Sequence, residues 1–158
     1  TLEEVTEAAT SGDTATDIAF ERLVQDPAEM HNLNEDFLIR FWERFAEEMR
    51  AGGALSAYLV TTVVSPKAQE AVLELTASDP VTIYLNGEGV EMGEREPVPE
   101  DVQDQFRPPV RTETVRLNEG ENLLIVATDA PEALRGGWFF GGKFFTPEGD
   151  GIVDLTFE

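Results

Sequence analysis

Two spacings of apolar residues divide the chain. Up to about residue 53 they recur at three and four, the helical period; from Ala54 onward they recur at two, the strand period. Thr1 to Ala9 forms a short helical pattern with Leu2 and Val5 on one side, stopped by Ser11, Gly12 and Asp13. Asp17 to Val24 brings Ile18, Leu23 and Val24 near one face, and Asp26 with Pro27 closes it. The strongest helical stripe follows. Asn34 is placed as an N-cap, and Glu35 and Asp36 suit the positive end of a helix dipole. Phe37, Leu38, Phe41, Trp42, Phe45 and Met49 then fall on one face, and Gly52 with Gly53 ends the helix.

The second part reads as strands. Ala54 to Val64 is rich in Thr, Val and Tyr. Ala71, Leu73 and Leu75 alternate with Val72, Glu74 and Thr76. Val81, Ile83 and Leu85 face a core, while Thr82 and Tyr84 point the other way. Asn86 and Gly87 predict a type I′ hairpin turn, in which both central residues take positive φ. Glu91 to Pro109, rich in Pro and acid, reads as a long surface loop. Arg111 to Leu117 is the next strand, turned by Asn118, Glu119 and Gly120. Leu123 to Ala127 is an unbroken apolar run, expected to be buried on both faces. Trp138 to Phe145 and Ile152 to Phe157 are read as a final pair joined by Thr146 to Gly151. Short strands joined by loops, without alternating helices, predict a mainly β protein: an antiparallel β-sandwich over 54–158, with an N-terminal helical segment over 1–53. Phe37, Phe41, Trp42 and Phe45 are expected to pack that segment on the sandwich.

Charge changes the picture most. Asp and Glu total 32 against 11 Lys and Arg, a formal net charge of -21 at pH 7. Such a field repels phosphate backbones and anionic lipid, which argues against nucleic acid and membrane insertion as partners. Lys occurs only at positions 67 and 143, a composition shared by salt-adapted proteins and by well-solvated proteins from GC-rich genomes. There is no Cys, so the fold uses neither disulfides nor thiol chemistry. The chain opens at Thr1 without a basic-then-apolar leader and reads as a mature or excised segment.

Set side by side, Ala57-Tyr58, Ser65-Pro66, Leu73, Ile83-Tyr84-Leu85-Asn86-Gly87, Leu117, Gly120, Asn122-Leu123-Leu124, Trp138-Phe139-Phe140 and Gly149-Asp150-Gly151 resemble the galactose-binding-like jelly-roll domains. In that family an aromatic-Leu-Asn-Gly strand precedes a hairpin, and Leu-x-x-Gly-x-Asn opens a later core strand. The resemblance covers roughly 54–158. Ser78, Asp79 and Pro80 stand where an Asp-Asp-Gly-like turn is common, and the acidic insert from Glu91 to Pro109 has no family counterpart. The resemblance implies a jelly roll and a non-catalytic accessory module of a larger extracytoplasmic protein. Its expected partner is a polysaccharide or glycan, or else adjacent domains of the parent protein. It also implies a structural calcium ion.

Candidate chemistry follows. His31 is the single His and lies in a loop-like stretch, where a solvated or capping role competes with catalysis. Without Cys or a second His, no motif assembles the roles of an active site, and the chain is read as a non-enzyme. Sugar binding needs an exposed ring beside polar groups that read hydroxyls. Trp138, set among Gly136, Gly137 and the following Phe139, Phe140, Gly141 and Gly142, is the best candidate ring, although large aromatics usually serve cores and the preferred reading packs Trp138 and Phe140 inside with Phe139 facing out. Phe139 and Tyr84 are further candidate rings, and Arg111 and Arg135 are their polar companions. Glu148, Asp150 and Asp154 form an acidic loop cluster, the candidate calcium site; Glu100, Asp101 and Asp104 form another, and neither has EF-hand spacing.

Overall fold

The computed structural model describes residues 1–11, 39–41, 45–52, 55–78, 80–94, 110–130 and 137–158. The chain divides into two compact units, Thr1–Phe37 and Leu38–Glu158.

In the first unit the described element is α1 (Leu2–Ser11). Thr1 and Glu4 form a capping box at its start. Thr1 Oγ1 accepts the Glu4 N–H at 3.4 Å and donates to Glu4 Oε2 at 2.8 Å. The amino terminus also donates to Oε2, and these bonds hold the Glu4 carboxyl below the ordinary carboxylate range. Val5 and Ala8, three apart, are buried.

The second unit is built on β1 (Ile39–Arg40), α2 (Ala46–Arg50), β2 (Ser56–Ser65), β3 (Gln69–Ala77), β4 (Val81–Leu85), β5 (Glu88–Val90), β6 (Val110–Leu117), β7 (Gly120–Asp129), β8 (Phe139–Phe145) and β9 (Thr156–Phe157). Four strands form one sheet in the order β1-β8-β3-β6, and five form the other in the order β5-β4-β7-β2-β9. All pairings are antiparallel. They nest: β1 with β8, β2 with β7, β3 with β6 and β4 with β5.

Alternation decides which face each strand buries. Ala71, Leu73 and Leu75 of the four-stranded sheet meet Val63, Ile83, Leu85, Leu124 and Val126 of the five-stranded sheet in one continuous core. Sharing that core makes the arrangement sandwich-like and the protein mainly β. In the apolar run of β7, Leu124, Ile125 and Val126 are buried, whereas Leu123 and Ala127 are half-buried.

Two elements differ from the sequence reading. The helix expected from Asn34 to Met49 is interrupted, because Ile39 and Arg40 pair as a strand with Phe140 and Phe139. Helical bonds resume after it, from Phe45 N–H to Phe41 O and from Met49 N–H to Phe45 O, both at 2.9 Å. Phe41 lies in the core and Phe45 packs against it; Phe37 and Trp42 lie outside the described residues. The final strands are also not a pair. β9 adds to β2 through Val63 and Val64, while the segment before it meets β8 in a bridge between Phe145 and Gly151 and a bond from Ile152 N–H to Phe144 O, and the Phe157 ring lies 6.2 Å from that of Phe144.

Candidate functional site

The two motifs that carry the family resemblance meet in space. Asn86 has φ +53° and Gly87 φ +83°, the two positive angles that the predicted turn requires. Asn86 Nδ2 donates to Asn122 Oδ1 at 2.9 Å, and Asn86 Oδ1 accepts the Leu123 N–H at 2.9 Å. Asn122 is fully buried. Its Oδ1 also accepts the Asn118 N–H, and its Nδ2 donates to the carbonyls of Asn118, Gly120 and Val63. The side chain of Asn122 therefore ties three segments together with its polar atoms satisfied. Both motifs are used here in holding strands.

Trp138 requires a correction as a ligand-binding ring. It is 1% exposed, with Phe41 at 4.8 Å and Phe45 at 5.9 Å between ring centroids. Its Nε1–H donates to Thr128 Oγ1 at 3.0 Å, linking the start of β8 to β7 in the opposite sheet. A ring enclosed in this way has no face for a sugar. Phe139 is likewise 4% exposed and is corrected for the same reason. Arg111 is half-buried on β6, across from Leu75, whereas Tyr84 belongs to β4 in the other sheet, so the structure does not bring that pair together. Arg135 and His31 lie outside the described residues.

Tyr84 sits on the outer face of the five-stranded sheet, opposite in phase to the buried Ile83 and Leu85. Its neighbours in register are Ile125 and Gly89, and a Cβ at Gly89 would stand 4.0 Å from the Tyr84 ring. The same face carries a ring not singled out from the sequence. Tyr58 on β2 is 38% exposed, in register with Ala127 on β7, which in turn pairs with Thr82 on β4. The small Ala127 between two larger side chains leaves a hollow of about 120 Å³, walled also by Ser56, Pro80 and Asp129. Ser56 Oγ donates to Asp129 Oδ1 at 2.5 Å, which fixes the carboxylate at the end of the hollow. Tyr58 and Tyr84 are two strands and two residues apart, roughly 12 Å between Cα atoms.

Compared with protein-family models, curated proteins and solved structures, the chain matches none.

A second depression of about 700 Å³ lies between the β4–β5 hairpin and β6. Glu88, Glu91, Glu113, Arg116 and Asn118 line it over a floor that includes Leu85, Val90 and Val115. Glu88 and Glu91 are exposed, and Glu113 Oε1 accepts the Thr114 N–H at 3.0 Å. Among the described residues no three acidic or histidine side chains gather as a metal-binding group; Glu148, Asp150 and Asp154 are exposed, and Glu100, Asp101 and Asp104 lie outside those residues. Among the described residues no helix is long and apolar enough to cross a membrane.

Proposed function

We propose that Leu38–Glu158 is a jelly-roll accessory module, non-catalytic and carbohydrate-binding, of a larger extracytoplasmic protein. The jelly-roll reading is supported by the nesting of β1–β8, β2–β7, β3–β6 and β4–β5 across two sheets, the pattern of one long hairpin rolled up. The binding reading rests on one observation. Tyr58 presents an exposed ring on a sheet face, beside the hydroxyls of Ser56 and Thr82 and the carboxylate of Asp129. A ring covers the apolar face of a sugar, while a fixed carboxylate and hydroxyls select its orientation. Tyr84 supplies a second ring on the same face, for a neighbouring sugar unit.

A screen of this chain against glycans and polysaccharides, with calcium and with chelator, tests the reading. The expected result is a carbohydrate hit in a folded sample. Calcium enters as a structural ion only if chelation lowers the melting temperature. Failure to bind any carbohydrate at high or low salt would overturn the proposal and leave a docking role.

A further inference from the structure

The edge of the four-stranded sheet points to a second kind of partner. Among the described residues β6 is an edge strand of eight residues, laddered with β3 on one side and receiving one backbone bond, from Gly93, on the other. Gly93 N–H donates to Thr112 O at 3.3 Å from the other side, so Thr112 turns its backbone groups outward. A Cβ at Gly93 would come within 2.7 Å of that oxygen, which is why the chain crosses there on a glycine. Outward direction alternates along a paired strand, so Thr114 and Arg116 also aim their N–H and C=O groups away from β3, into the 700 Å³ groove. Glu113 holds the Thr114 N–H with its own carboxylate. That bond covers a sheet edge with a group from the same chain, which an incoming strand can displace.

We propose that this groove takes an extended, basic peptide segment of another protein as an added strand on β6. The backbone groups of Thr114 and Arg116 supply the pairing. The carboxylates of Glu88, Glu91 and Glu113, against Arg116 as the one cation among the described lining residues, select lysine or arginine on the segment. The net charge of -21 on the chain favours encounter with a basic partner and opposes an acidic one. This groove shares no residue with the Tyr58 hollow, so either proposal can fail without the other.

The test uses the whole chain and a labelled ten-residue peptide alternating lysine with valine or threonine. Its control carries glutamate in place of lysine. The basic peptide should bind, the acidic one should not, and amide shifts should concentrate at Thr114 and Arg116. The triple variant Glu88→Gln, Glu91→Gln, Glu113→Gln, which leaves every backbone pairing intact, should weaken binding by about fivefold or more, and added salt should do the same. Thr114→Pro removes the outward N–H at an edge position that tolerates proline and should abolish binding with the fold retained. Equal binding of both peptides, shifts centred elsewhere, no binding by a folded sample, or self-association that fills the edge with a second copy would each overturn the proposal.

Discussion

Trp138 and Tyr58 are both large rings with a polar handle, and the fold puts them to opposite uses. Trp138 is 1% exposed, clasped by Phe41 and Phe45, and spends its N–H on Thr128. Tyr58 is 38% exposed and stands at a hollow whose lining includes the polar side chains of Ser56, Thr82 and Asp129. The difference teaches that ring type and neighbouring glycines do not decide whether an aromatic side chain binds a ligand. The decision lies in the phase of its strand and in what the opposite sheet places against it.

The comparison is broken most forcefully at the buried ring. Trp138→Ala leaves a cavity against two phenylalanines and removes the N–H that the Thr128 hydroxyl accepts, and should cost about 3–5 kcal/mol in denaturant unfolding. If Trp138 were a surface ring, the loss would be a few tenths. Asn122→Ala comes next. It removes the partner of the Asn118, Gly120 and Val63 carbonyls and should cost about 2–3 kcal/mol, read by the same unfolding curves. Asn86→Ala loses two bonds and puts alanine at φ +53°, for about 1–2 kcal/mol. A melting temperature unchanged by Asn86→Ala, with ligand affinity gone, would instead make that turn part of a binding site. Tyr58→Ala has the smallest effect on stability, within about 0.5 kcal/mol, because it empties no core position.

Much of the fold was legible in the sequence because its signals are local. The period-two alternation of Ala71, Leu73 and Leu75, and of Ile83 and Leu85, marks strand faces directly, and Asn86-Gly87 fixes its turn by its own backbone preferences. What escaped depends on distant residues. Ile39 and Arg40 lie inside a helical pattern in sequence but become a strand by pairing with β8, about a hundred residues on. The strand after Gly151 neighbours β8 in sequence yet adds to β2 in the other sheet. At the site, Trp138 among glycines looks the same in sequence whether it faces a core or solvent. Tyr58 carried a usable signal: it is an aromatic residue in the outward phase of β2, alternating with the core-packed Ala57 and Leu59. Asp129, 71 residues away, joins it only through the pairing of β2 with β7.

The most direct test of the carbohydrate reading is a calorimetric titration of the best carbohydrate from the screen into the unaltered chain and into Tyr58→Ala, with the melting temperature of each recorded. A site on the outer sheet face predicts affinity lost by at least about tenfold with the melting temperature held, since the ring contributes contact area and little to the fold. Affinity unchanged in Tyr58→Ala would contradict that placement and remove the observation on which the carbohydrate reading stands.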